Sequence, residues 1–547
     1  MTTPTKDTQH HRSISFDNAI SGLPSTSESP PPTKTTFDDS QGRQSSIYLG
    51  SPVIPTVHKG RTLVLCFDGT GDQFDADNSN IVEFFSILGK GDPDNQMVYY
   101  QAGIGTYIGP RANPFLNKIS KAGPEFIWLH SILITCPKML DEAIAWNLDT
   151  HIMDGYEFLM QNYCANDRIC IFGFSRGAYT ARCLAGMIHK VGLLPACNHQ
   201  QVPFAYKMYK RPDELGWRQS NAFKKAFSID VDIEFLGVWD TVNSVGIIPR
   251  RLPFSTSNNI VRTVRHAISL DERRAKFKAN MWNRPVHGEH LYSITDQKAA
   301  KRAKRAENSK AKKKMDEHDD GLHEFEHRYS TIRDTPTDVE EVWFAGCHCD
   351  VGGGSVANET RSSLARITLR WMIRECFKRE SGIIFQVEGL RDLGIDPASL
   401  YPVVLPRPPA VMPEPKDFIE RIPKVQPTIL THGDDTSSDD DPFFKLTEEE
   451  HELLDALSPK YDQLALKKTW WFGEILPMTH RYQRSNDEWT KTFKWNMGRG
   501  RIIPRQKTQG AKIHRSVKIR MEAAYDNGKK YVPKVANLDM EKVIWVD

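Results

Sequence analysis

From Arg61 onward the chain takes turns between short unbroken apolar runs and longer stretches whose apolar residues recur every three or four positions. "TLVLCF" (62–67) is short and apolar enough for a strand buried on both faces, "IVEFFSIL" (81–88) has helical spacing, and "MVYYQ" (97–101) reads as a second strand. The stretch from Met139 to Tyr163 predicts one or two amphipathic helices, "RICIFGF" (168–174) a strand, "ARCLAGMIHKVGLL" (181–194) a helix, and "IEFLGVW" (233–239) and "VEEVWFAG" (339–346) two more strands. Parallel strands need long crossovers, so this alternation predicts an α/β fold: a mostly parallel sheet with helices on both faces.

The flanks break that rhythm. Residues 1–58, with "SGLPSTSESPPPTKTT" at their centre, hold too few apolar side chains to offset ordering entropy and predict a disordered tail. The globular pattern fills 59–404 and carries a basic insertion near 298–320, densest in "KAAKRAKRAENSKAKKK" (298–314). A Pro-rich and then acidic linker, 405–449, leads to a C-terminal extension or lid, 450–547, whose "TWWFGEILPM" (469–478) would either pack on the core or cover the site and meet lipid.

Composition narrows the setting. With 39% hydrophobic residues over 547 positions the chain buries a full core, and a net charge of +3 gives no bulk attraction for polyanions, so specific nucleic-acid binding is not expected. The longest apolar candidate for a membrane span, "FIWLHSILITC" (126–136), is shorter than the ~18 residues a span needs. The N-terminus lacks the charged, apolar and small-residue pattern of a secretion signal, so the expected location is cytoplasmic. The basic run leaves open peripheral contact with an anionic membrane, or nuclear import. Nine cysteines with no CxxC spacing read as buried free thiols rather than disulfides or zinc ligands, and "CHCD" (347–350) lacks the second ligand pair that zinc requires.

The candidate chemistry sits where one strand becomes a helix. Gly173-Phe174-Ser175-Arg176-Gly177 fits G-x-S-x-G between "RICIFGF" and a helix of small residues. A strand turning sharply into a helix forces Ser175 into a strained conformation and leaves no room for side chains at the flanking glycines. The backbone N–H of Arg176 at the helix N-terminus then suits a developing oxyanion, and Gly69 and Thr70, after the first strand, are candidates for the second donor. A Ser nucleophile needs a base and a carboxylate to orient it. Asp240 ends "IEFLGVWD" at the carboxyl end of a strand, and His348 follows "VEEVWFAGC" on a loop directly after a strand; His266, in the helix-like "VRHAISLDERR", is the rival base. Such chemistry requires no metal and no cofactor, although the acidic loop from Asp72 to Asp77 has oxygen ligands of the kind calcium takes.

In that order, "CFDGTGD", "IFGFSRGAYTAR", "FLGVWDTVNSVG", "HAISLDERRAKF" and "VWFAGCHCDVGGG" resemble the uncharacterised α/β-hydrolase family (domain of unknown function 2235 type) that includes the type VI secretion phospholipase effectors of family one. The resemblance covers roughly residues 60 to 400. It implies a Ser-Asp-His esterase carried by Ser175, Asp240 and His348, acting on lipid or other carboxylic esters. Cys349, the long basic insertion and the unusual N-terminus depart from it, so a bacterial toxin role is not implied. Two other readings stand beside it. A non-catalytic interaction protein on a hydrolase fold would not need the full Ser, Asp and His set, and a phosphohydrolase with Asp68 as nucleophile would need a second Asp where Thr70 stands.

Overall fold

The computed structural model describes residues 52–57, 60–69, 72–103, 137–242, 251–282, 316–330, 335–422, 442–486 and 489–547. Nearly all of the tail 1–58, the segment 126–136, the basic run 298–314 and Thr70 lie outside these. The protein has an α/β fold. Its central sheet contains, among the described residues, eight strands: β1 (Thr62–Phe67), β2 (Gln96–Gln101), β3 (Arg168–Phe174), β4 (Ile233–Trp239), β5 (Val261–Ser269), β6 (Asp338–Phe344), β7 (Ala511–His514) and β8 (Val543–Val546). They lie in the order β8-β7-β6-β5-β4-β3-β1-β2, and every neighbouring pair is parallel.

Successive side chains of a strand point to opposite faces, and here both faces are covered. Val64, Cys66, Cys170 and Phe172 enter one buried cluster with α1 (Asn80–Ser86) and the long helix Leu364–Lys378. Leu63, Leu65, Ile169 and Ile171 enter the other with α2 (Pro137–Asn162) and α3 (Ser175–Val191). This explains why the strands read as unbroken apolar runs rather than as alternating ones. The Met139 to Tyr163 stretch forms a single helix rather than two.

Several sequence expectations are corrected. "VRHAIS" is not helical: it lies within β5, and its two polar side chains are buried with partners, Arg265 with Glu375 and Asp338, His266 with Glu341. His348 is not on a loop but opens α4 (His348–Gly352), capped by Cys347 and Asp350. The C-terminal segment does not stand apart as an extension, because β7 and β8 complete the sheet beside β6. Within the stretch read as a linker, Arg407 is buried against Glu449 and Glu452 of the helix Glu448–Leu457. Among the cysteines, Cys66, Cys170, Cys183, Cys347 and Cys376 are buried free thiols, whereas Cys164 and Cys197 are exposed.

Candidate active site

Ser175 directly follows β3 and is the first residue of α3, and it holds the left-handed backbone that such a corner demands, with φ at +58°. The glycines on either side are steric necessities. A Cβ on Gly173 would lie 2.5 Å from the carbonyl oxygen of Gly177, and one on Gly177 would lie 2.3 Å from the carbonyl oxygens of Phe67 and Asp68. Gly177 therefore lets α3 press against the end of β1. No side chain caps the N-terminus of α3, so the first N–H groups of the helix, Arg176 among them, are not taken by a capping side chain.

Three strand ends converge there. His348 Nε2 lies 2.8 Å from Ser175 Oγ, and His348 Nδ1 lies 2.5 Å from Asp240 Oδ2. Asp240 follows β4 with its own positive φ of +41°. Its Oδ1 accepts the Ser269 N–H at 2.9 Å, and the carboxylate is clamped by a guanidinium that no sequence pattern announces: Arg501 donates Nη1 to Oδ1 at 2.5 Å and Nη2 to Oδ2 at 2.8 Å. Arg501 also donates to Ser269 Oγ and to the Phe277 carbonyl, so all of its reach is spent at this point.

The aromatic walls and charges set the protonation state. The His348 ring is packed by Phe174 at 4.8 Å and edge-on by Phe277 at 4.9 Å. Burial pushes its pKa below the usual histidine range, although hydrogen bonding to Asp240 works the other way. Burial opposes the charge on Asp240 as well, but the Arg501 guanidinium and His348 together hold that carboxylate far below its ordinary range. The pair that results is a neutral imidazole beside a permanent anion. Glu272 frames it from the β5 loop. It accepts the His348 backbone N–H at 3.3 Å and pairs with Arg274; burial opposes its charge, but the hydrogen bond and charge of Arg274, together with Arg501 and His348, hold its pKa below the usual glutamate range.

The first loop behaves differently from expectation. Gly69 donates its N–H to Asp68 Oδ1 at 2.7 Å, so that donor is already occupied rather than presented to Ser175, and Thr70 lies outside the described residues. Asp68 also accepts from Ser79 Oγ and Tyr100 Oη, which uses its oxygens to hold the loop and the start of α1 and disfavours the reading of Asp68 as a nucleophile. Asp72 sits over Gly69, where a Cβ would come within 2.1 Å of its Oδ2. Burial and then the neighbouring Asp68, Asp75 and Asp77 push its pKa up to about 7. Among the described residues no group of three His, Cys, Asp or Glu side chains is arranged to hold a metal. The rival base His266 lies beneath the site. Its Nε2 accepts the Thr241 N–H at 3.2 Å and its Nδ1 faces Glu341 at 3.1 Å.

Arg501, Glu272 and Phe277 join the site only in the structure. Glu272 lies within "SLDERR", where charged residues just after an apolar strand run are a usable signal; Arg501 carries none, since its partner is 261 residues away.

Residues 61–375 match the model of a type VI secretion system phospholipase effector, Tle1-like, catalytic domain. An uncharacterized protein of Saccharomyces cerevisiae, YEL023C, is 28% identical over 582 residues, which covers 87% of this chain and 82% of that protein. Among solved structures, an uncharacterized protein from Pseudomonas aeruginosa is 17% identical with a TM-score of 0.30, over 62% of this chain and 49% of the other, so the match spans about half of that chain's length. The Tle1 effector, solved bound to the VgrG spike of the Type 6 secretion system, is 15% identical with a TM-score of 0.24 over 61% of each chain.

Proposed function

The chain belongs to the family of Tle1-like phospholipase effector catalytic domains, and from that premise we propose that it is a serine hydrolase that cleaves carboxylic esters of phospholipids with Ser175, His348 and Asp240. One observation carries the reading: a hydrogen-bonded line from Ser175 Oγ through both nitrogens of His348 to Asp240, at 2.8 and 2.5 Å, ending on a serine held at φ +58°.

The steps follow from the geometry. His348, kept neutral by burial, accepts the Ser175 proton at Nε2 as Oγ bonds to the ester carbonyl carbon. The imidazolium so formed is steadied at Nδ1 by the Asp240 carboxylate, which Arg501 keeps charged and fixed in place. The tetrahedral oxyanion meets the Arg176 N–H at the positive end of α3. Collapse of the intermediate breaks the ester C–O bond, and His348 returns its proton to the departing alcohol. Water, deprotonated by the same nitrogen, then attacks the acyl carbon; the bond from that carbon to Ser175 Oγ breaks, His348 returns the proton to Oγ, and the carboxylic acid leaves.

The direct test is labelling by a fluorophosphonate probe, which reports an activated serine whatever acyl chain the enzyme prefers. The intact protein should label at Ser175 and the Ser175→Ala variant should not; a folded intact protein that stays unlabelled would overturn the reading. Release of fatty acid from phosphatidylcholine by the intact chain tests the substrate class.

A further inference from the structure

The described parts of the segment 466–499, 466–486 and 489–499, turn large apolar side chains outward. Phe472, Phe493 and Trp495 are 65%, 72% and 60% exposed. Phe493 and Trp495 lie at the end of a two-stranded hairpin, Met478–Gln483 with Trp489–Lys494, that pairs with no strand of the central sheet among the described residues. The base of that hairpin meets the short helix before it: the Met497 N–H donates to the Glu474 carbonyl, next to the exposed Ile475 and Leu476. Isolated exposed apolar residues are ordinary on a protein surface, but this many in one segment mark a contact face.

Charge says what the face meets. In the described part of 463–499 every exposed charged side chain is basic: Lys467, Lys468, Arg484 and Arg499. The acid among those described residues, Glu474, is buried and accepts from the Ala275 and Gly498 N–H groups and from Asn496. Aromatic and aliphatic side chains set among lysine and arginine complement an anionic bilayer, which receives the apolar groups at the level of the headgroups and pairs the cations with phosphate. The face is also continuous with the site. Trp470 packs edge-on against Phe277 at 5.7 Å, and Phe277 packs edge-on against His348.

We infer that the face formed by 466–486 and 489–499 is the surface by which the protein docks on an anionic lipid bilayer, with the Trp470–Phe277 contact leading from that surface to the serine. The inference rests on the phospholipase reading above and names where its substrate comes from. It is tested with the full chain carrying Ser175→Ala, so that the lipid is not consumed, by co-sedimentation with phosphatidylserine–phosphatidylcholine vesicles and with phosphatidylcholine alone. The parent should sediment with the anionic vesicles. Combined Phe472→Ser, Phe493→Ser and Trp495→Ser should lower the bound fraction at least tenfold, and combined Lys467→Glu and Lys468→Glu should remove the preference for anionic over neutral vesicles. Equal binding by the parent and both variants, or no binding by the parent, overturns the inference. Light scattering supplies a further outcome: a parent that is dimeric where the triple variant is monomeric gives the face to a second copy of the chain and overturns it too. Fluorophosphonate labelling of the intact serine, done without vesicles, separates a failure of docking from a failure of the hydrolase reading.

Discussion

Two buried histidines flank the turn at Asp240 and Thr241, His266 from β5 and His348 from the start of α4, and only one of them faces Ser175. His348 and His266 each point Nδ1 at a carboxylate, at 2.5 Å from Asp240 and 3.1 Å from Glu341, and burial lowers the pKa of both. They differ at the other nitrogen. His266 Nε2 accepts the backbone N–H of Thr241, inside the sheet, whereas His348 Nε2, at a strand end, meets Ser175 Oγ. A carboxylate partner is therefore a poor mark of a base, and the lone pair left over is a good one. The two histidines also share a task, because Thr241 follows Asp240 directly: His266 holds the turn from which Asp240 reaches His348.

The largest effect that sharpens this contrast is expected at Ser175 and His348. Ser175→Ala and His348→Ala should each lower kcat on a short nitrophenyl ester by ~10⁴ or more, and the double variant should be no worse than either alone, since the members act as a unit. A full-rate His348→Ala protein would make the two histidines equivalent. Next comes Arg501. Arg501→Met should lower kcat by roughly 10²-fold, because an unclamped Asp240 orients His348 less well, and should cost about 3 kcal/mol of stability for the broken buried pair; Arg501→Lys should recover part of both.

A smaller effect is a displacement along the pH axis. In the proposed reaction His348 accepts a proton only when neutral, and burial lowers its pKa, so kcat/KM should fall on acidification through a midpoint below the ordinary histidine value of about 6.5. In Arg501→Met the Asp240 charge acts on the imidazole without its counter-ion, so that midpoint should move upward. A pH–rate profile of both proteins checks the direction. The smallest catalytic effect belongs to His266→Gln, which should leave kcat within about tenfold while lowering the unfolding free energy by ~1–3 kcal/mol, measured by urea denaturation. A loss of activity equal to that of His348→Ala would reverse the assignment of the two rings.

What the sequence disclosed follows the same line between local and distant. G-x-S-x-G announces itself because the corner, the strained serine and both glycines lie within five residues, and Asp240 and His348 are each marked by the apolar run that ends just before them. His266 reads as helical in the sequence because Arg265 and His266 interrupt the apolar run of β5, and only the fold supplies Glu375 and Glu341 to receive them. The strands β7 and β8 are illegible because four residues each, "AKIH" and "VIWV", are too few to show a period. The occupied Gly69 N–H depends on where the Asp68 side chain turns, which no residue pattern records.

The clamp on Asp240 has a kinetic side. The carboxylate and its guanidinium are separated by 261 residues, and β7 docks on β6 near the far end of the chain, so these contacts close large loops and are expected to form late in folding. Refolding should thus pass through a stage in which helical ellipticity is regained while the serine is still inert, and probe labelling should lag the circular-dichroism signal. Completion of the site would then serve as a clock for the last step of folding, read at a single side chain.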